Sequence, residues 1–163
     1  MITLKRILVP TDFSLPSQKA LRHAIEFAKH YDCEVVLLHV LESAPFPPAF
    51  GLEGAPPTPM ADQARSWADQ QLAKMAREEV PEKVRHRTLM RQGNPTQEIV
   101  HTAIQEDADL IIMATQGRSG LEHILLGSVA EKVVRKAPCA VLIVREKAKE
   151  IVAPWGEGGG PTM

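Results

Sequence analysis

The chain has 163 residues, a net charge of −1 and 44% apolar residues, which is typical of a single globular domain. The lack of a basic excess argues against a dedicated nucleic-acid or membrane-surface binder, and no uncharged run is long enough to span a bilayer. We therefore expect a cytoplasmic protein with neither nucleic acid nor membrane as a partner. Its two cysteines, Cys33 and Cys139, are predicted to be reduced thiols, because no CxxC pair suggests a redox or zinc site.

The first third of the chain predicts a strand, a helix and a second strand. Lys5–Val9 is an apolar strand that ends at Pro10, since proline lacks the N–H that a central strand needs. A helix capped by Ser14 or Ser17 follows it. Glu34–Leu41 then has the length and composition of a buried strand.

The middle of the chain predicts a loop, a helix and an edge strand. Segment 43–59 contains six prolines and is expected to be a loop. Residues 60–79 show helical periodicity, with the apolar positions Ala64, Trp67, Ala68, Leu72 and Met75 predicted to pack in the core. Residues 84–91 alternate, with three arginines on one face, which is typical of a strand at a sheet edge.

The last third repeats the alternation of helix and strand. Asn94 and Pro95 are expected to begin a helix as its cap and first residue. Leu110–Met113 predicts a buried strand, Ser128 the N-cap of a final helix, and Ala140–Val144 the last strand.

Strands that alternate with helices indicate an α/β fold with a doubly wound parallel sheet. We expect one domain over residues 1–145, with helices on both faces of a five-stranded sheet, and a charged, glycine-rich tail over 146–163. Ligands of such sheets bind beyond the carboxyl ends of the strands, where the strand order reverses. The informative loops follow strands one and four, so those strands should be neighbours, and the edge-like third strand should lie outside. This gives the order 3-2-1-4-5.

The two loops carry residues suited to a phosphate ligand. Asp12 follows strand one, and glycines 117 and 120 follow strand four. Gly127 and Ser128 open a helix whose free N–H groups and dipole attract anions. The alternatives stay open at this point: the glycines could serve only a tight surface turn, and Asp12 could only cap the first helix. The sequences GxxxxGK[ST] and GxGxxG are absent.

Three segments together resemble the universal stress proteins. They are Ile7-Leu8-Val9-Pro10-Thr11-Asp12-Phe13-Ser14, Gly117-Arg118-Ser119-Gly120-Leu121 continued by Leu125-Leu126-Gly127-Ser128-Val129-Ala130-Glu131-Lys132-Val133, and Pro138-Cys139-Ala140-Val141-Leu142-Ile143-Val144. The family's nucleotide motif is Gly, two residues, Gly, nine residues, Gly, then Ser or Thr. Gly117, Gly127 and Ser128 match that motif, while Ala114 stands at its first glycine and Gln116 where the family often has histidine.

The resemblance implies an ATP-binding stress-response protein, with or without Mg²⁺, that forms a homodimer through Ala140–Val144. It implies that Asp12 contacts the nucleoside, Val40 packs against adenine, and Ser128 binds the phosphates. The full set of implied nucleotide-binding positions is Pro10, Thr11, Asp12, Val40, Met113, Ala114, Gln116, Gly117, Arg118, Gly120, Gly127, Ser128 and Val129.

Two other functions remain as hypotheses beside nucleotide binding. One is a partner-binding module that does not use nucleotide and docks a protein through loop 43–59. The other is a slow ATPase. No arrangement of residues in the sequence predicts a general base for phosphoryl transfer, so we expect little or slow hydrolysis and name no catalytic residue.

Overall fold

The computed structural model describes residues 3–42, 59–115 and 126–145. Within those ranges it contains a five-stranded parallel sheet in the order β3-β2-β1-β4-β5, which confirms the predicted fold class and strand order. The strands are β1 (Arg6–Pro10), β2 (Glu34–Glu42), β3 (His86–Gly93), β4 (Leu110–Ala114) and β5 (Ala140–Val144). The helices are α1 (Leu15–Tyr31), α2 (Pro59–Glu79), α3 (Pro95–Gln105) and α4 (Ser128–Lys136). The predicted tail and all but the last residue of the predicted loop 43–59 lie outside the described residues.

The central strand β1 separates two apolar cores. Ile7 and Val9 face the helices α1 and α2, whereas Leu8 faces α3 and α4, and all three side chains are fully buried. Alternate residues of a strand point to opposite faces, so a continuous apolar run is what a sheet covered on both sides requires. No helix among the described residues is long and apolar enough to cross a membrane.

The helix starts differ in how they are capped. Ser14 caps α1 by accepting a hydrogen bond from the Ser17 amide, and Asn94 caps α3 by accepting one from the Gln97 amide. The expectation that Ser128 caps α4 is wrong: Gly127 occupies the cap, and Ser128 is the first helical residue. Gly127 has an extended backbone, and its amide donates to the Thr115 carbonyl at 2.6 Å, which holds it outside the helix.

The edge strand β3 forms ion pairs through Arg87. Arg87 bonds Glu34 Oε1 through Nε at 3.2 Å and also donates to the Glu106 carboxylate. Glu34 also pairs with Arg6, whose Nε lies 3.1 Å from Glu34 Oε2. The hydrogen bond from Arg87 lowers the pKa of the Glu106 carboxyl below its usual value. These contacts tie β3 to its neighbours on the side opposite to the carboxyl ends of the strands.

The first turns of α2 extend past the core. Ala68, Leu72 and Met75 are buried as predicted, but Ala64 and Trp67 are exposed, and Trp67 keeps 50% of its surface accessible. The ring of Trp67 contacts only the edge of Phe13 among the aromatic rings of the described residues, at 5.7 Å between centroids. The part of α2 that packs in the core is therefore shorter than the stretch of apolar periodicity in its sequence.

Candidate functional site

A cavity of about 250 Å³ opens at the carboxyl ends of β1, β2 and β4. It lies where the strand order reverses, because β1 pairs with β2 on one side and with β4 on the other. The starts of α3 and α4 complete its walls. The lining residues are Pro10, Thr11, Asp12, Ser17, Leu38, His39, Val40, Glu42, Pro95, Ile99, Met113, Ala114, Thr115, Gly127, Ser128, Val129 and Ala130.

The loop after β1 is shaped by its own side chains. Asp12 Oδ1 accepts a hydrogen bond from the Ser14 amide at 3.0 Å and another from the Ser14 hydroxyl. Ser14 is the residue that caps α1, so Asp12 supports the cap from outside the helix. Phe13 takes a positive φ of 65°, which is uncommon for a bulky residue and indicates a constrained turn.

Thr11 connects this loop to α1 and β2. Its hydroxyl accepts from the Phe13 amide at 3.0 Å and shares a hydrogen bond with the Ser17 hydroxyl at 2.9 Å. Its amide donates to the Leu38 carbonyl, and its carbonyl accepts from His39 Nδ1, both at 2.8 Å. The backbone that carries Asp12 is therefore held from β2 and α1 at once.

The start of α4 is the feature best suited to an anion. No side chain of the described residues caps this helix, whereas α1 and α3 are capped by Ser14 and Asn94. The first N–H groups of a helix lack partners within the helix and carry the positive end of its dipole. The cap residue is held in place because Gly127 bonds the Thr115 carbonyl, and Thr115 in turn bonds the Val144 carbonyl at 3.1 Å. An anion in the cavity would meet these free donors.

Comparison of the sequence with known protein families identifies the family of this chain. A sequence model of the universal stress protein family matches residues 3–145. The chain belongs to this family. A universal stress protein of Methanocaldococcus jannaschii, MJ0531, is 40% identical to it over 147 residues, which cover 90% of this chain and 85% of the relative. The Bacillus subtilis universal stress protein YxiE is 35% identical over 146 residues, covering 86% and 98% of the two chains.

Solved structures of the universal stress protein family share the fold. The structure of MJ0577 superposes with a TM-score of 0.76 at 33% identity, covering 91% of this chain and all of that one. The Lactobacillus plantarum protein UspA gives a TM-score of 0.68 at 26% identity, covering 89% of this chain and all of its own. Two more distant structures, at 21% identity, were solved in complex with cAMP and with dAMP. Their likeness to this chain concerns the fold.

The structure brings together nine of the residues that the sequence singles out in this universal stress protein. They lie around one cavity and are Pro10, Thr11, Asp12, Val40, Met113, Ala114, Gly127, Ser128 and Val129. The remaining four candidates, Gln116, Gly117, Arg118 and Gly120, lie outside the described residues. Whether these positions bind nucleotide stays a prediction.

Sequence reasoning missed one wall of the cavity of this family member. Pro95 and Ile99 come from the start of α3, and Glu42 ends β2. This wall lies outside the exit loops of β1 and β4, because the start of α3 follows the edge strand β3. The pair Asn94 and Pro95, which marks a helix start at the same edge of the sheet, was the signal that could have located this wall.

The cavity walls differ in polarity. One wall is apolar and consists of Val40, Pro95, Ile99, Met113 and Val129. The polar lining includes the carboxylates of Asp12 and Glu42, and no lysine or arginine lines the cavity among the described residues. No group of three metal-ligating side chains is present in the described ranges. Burial raises the pKa of both cysteine thiols, which lie outside the cavity.

Proposed function

We propose that the cavity binds ATP or a related adenine nucleotide, and that the protein acts as a stress-response regulator whose nucleotide occupancy changes the loops around the site. The observation that carries this proposal is the uncapped start of α4, which faces a cavity shared with the Asp12 loop. The family membership supports it, as do the cAMP and dAMP complexes of two distant relatives of the same fold.

Each wall suits one part of a nucleotide. The base would lie against the apolar wall, where Val40 and Ile99 face each other from β2 and α3. The phosphates would meet the N–H groups of α4, with the Ser128 hydroxyl as a further donor. Asp12 would accept hydrogen bonds from the nucleoside. Mg²⁺, if it accompanies ATP, would take its ligands from the phosphates with at most one or two carboxylates, as is usual for this ion.

The site favours binding over turnover. Asp12 is the carboxylate of the β1 loop, and it already accepts two hydrogen bonds from Ser14. Phosphoryl transfer depends on a positioned base and on cationic groups that neutralise developing charge. We therefore propose little or slow hydrolysis, with the nucleotide acting as a regulatory ligand.

A charge placed at the start of α4 tests the proposal. Ser128→Asp adds a carboxylate to the first helical residue. There it interacts favourably with the helix dipole and repels a bound phosphate. We expect unchanged or higher thermal stability together with a loss of AMP and ATP binding of more than tenfold in calorimetry. Gln97→Asp is the matched control, because Gln97 lies in the first turn of α3, is exposed and does not line the cavity.

The outcomes separate the alternatives. Absence of heat with millimolar ATP in the unmodified protein would refute nucleotide binding and leave the partner-binding hypothesis. Equal losses in Ser128→Asp and Gln97→Asp would refute the placement of the phosphates at α4. Steady ATP turnover that Asp12→Ala abolishes would favour the slow ATPase instead.

We also propose a homodimer through β5. Among the described residues this strand pairs only with β4, and Val141, Leu142 and Ile143 are partly exposed. A short apolar strand at an open edge invites pairing with a second chain. Sedimentation should give twice the mass of one chain, and Val141→Asp should lower it to one, with circular dichroism as the folding control. A monomer in the unmodified protein would refute this interface.

A further inference from the structure

Glu42, an exposed residue, lines the cavity from the end of β2. Leu38, Val40 and Glu42 occupy alternate positions of this strand and all line the cavity, as does His39, whose ring bonds the Thr11 carbonyl, whereas Leu41 does not line it. The side chain of Glu42 thus lies on the same face as Val40 and one step nearer to solvent. Its partner in the sheet is Gly93 of β3, the last residue before the α3 cap.

The charges of the site are arranged at opposite ends. Asp12 and Glu42 follow the ends of β1 and β2, whereas the uncapped start of α4 follows β4. The order β2-β1-β4 separates Glu42 from the β4 side by two strand spacings, about 10 Å. The cavity is therefore negative at one end and carries helix N–H donors at the other.

We propose that Glu42 determines specificity by admitting ligands that carry negative charge at one end only. The inference rests on the proposed nucleotide function and deepens it. With the 5′-phosphate at α4, the nucleoside end lies beside Asp12 and Glu42. Carboxylates accept hydrogen bonds and cannot donate them, so this end takes sugar hydroxyls or an amino group. A second phosphate on the sugar would be repelled.

The size of the effect follows from Coulomb's law. A phosphate about 7 Å from Glu42, in the partly solvated mouth of the cavity, is repelled strongly enough to change affinity by roughly tenfold. Salt weakens such an interaction, since the Debye length is about 10 Å at 0.1 M. Low ionic strength therefore gives the clearest measurement.

Adenosine 3′,5′-bisphosphate and AMP form the probe pair, because they share base, sugar and 5′-phosphate. Calorimetry at low salt should show that the unmodified protein prefers AMP. Glu42→Gln should improve bisphosphate binding by roughly tenfold and change AMP binding by less than about threefold. Glu98→Gln removes a charge close by, since Glu98 Oε1 lies 3.0 Å from where a Cβ on Gly93 would be, yet Glu98 does not line the cavity. This control should leave the preference unchanged.

The results distinguish this inference from the function on which it rests. If the unmodified protein binds AMP but Glu42→Gln leaves the ratio of the two affinities unchanged, the role of Glu42 is refuted and nucleotide binding stands. The same holds if Glu98→Gln shifts the ratio as much as Glu42→Gln does. If the unmodified protein binds neither ligand, the proposed function itself fails.

Discussion

Replacing Thr11 by valine tests whether the β1 loop is held by a single hydroxyl. Thr11 is 6% exposed, and valine has nearly the same shape without the hydroxyl. The substitution removes the bonds to the Phe13 amide and the Ser17 hydroxyl. Each bond contributes about 1 kcal/mol, and a buried donor left unpaired adds about 1 kcal/mol more. We expect a total loss of about 2–3 kcal/mol.

Thr11→Ser is the matched variant, because it keeps the hydroxyl and loses one buried methyl group. Its expected cost is about 1 kcal/mol. Urea unfolding should therefore place the midpoint of Thr11→Val lowest, about 1 M below that of the unmodified protein for a slope near 2 kcal/mol per M. AMP affinity should fall with it, because the Asp12 loop would lose its side-chain bonds to Phe13 and α1 and keep only the backbone bonds of Thr11 to β2. Equal midpoints for the two variants would refute the role assigned to the hydroxyl.

Three further substitutions test other parts of the fold. Glu106→Gln should lower the urea midpoint at pH 7. The difference in midpoint between this variant and the unmodified protein should narrow below pH 4.5, because the pKa of Glu106 is lowered in the folded protein and its stabilisation is lost as the pH falls through that folded pKa. A difference that stays constant with pH would contradict this. Gly93→Ala should cost about 1–3 kcal/mol in the same assay, since φ is +149° and the new Cβ would lie 3.0 Å from Glu98 Oε1. Ile112→Val, at a fully buried position of β4, should cost about 1 kcal/mol, and a neutral result would indicate a looser core than the structure shows.

The strand order could be derived from the sequence because two physical rules converge on it. Strands one and four were predicted to be neighbours from the polar loops that follow them, and the arginine-rich strand was predicted to lie at an edge. Both conclusions depend on residue types that only certain positions of a parallel sheet accept. The sheet order β3-β2-β1-β4-β5 confirms them.

The roles of single residues were harder to predict from the sequence, because neighbouring residues can suit the same role. Gly127 and Ser128 both suit a helix cap, and only the bond from Gly127 to the Thr115 carbonyl decides between them. Trp67 continues the periodicity of α2, but periodicity does not reveal where the facing element ends. Glu42 and Ile99 line the cavity from the end of β2 and the start of α3, outside the exit loops of β1 and β4.

The pairing of β1 with β4 also has a consequence for synthesis of the chain. Ile7 registers with Leu110, so the central strand β1 keeps one edge unpaired until more than a hundred further residues have left the ribosome. Unpaired apolar edges are sites of aggregation, and contacts between distant parts of a chain slow folding. We expect nascent chains that stop after β3 to need a chaperone, and release to follow the emergence of β4. The cavity, which lies across the same pair of strands, is completed later still, when the start of α4 emerges.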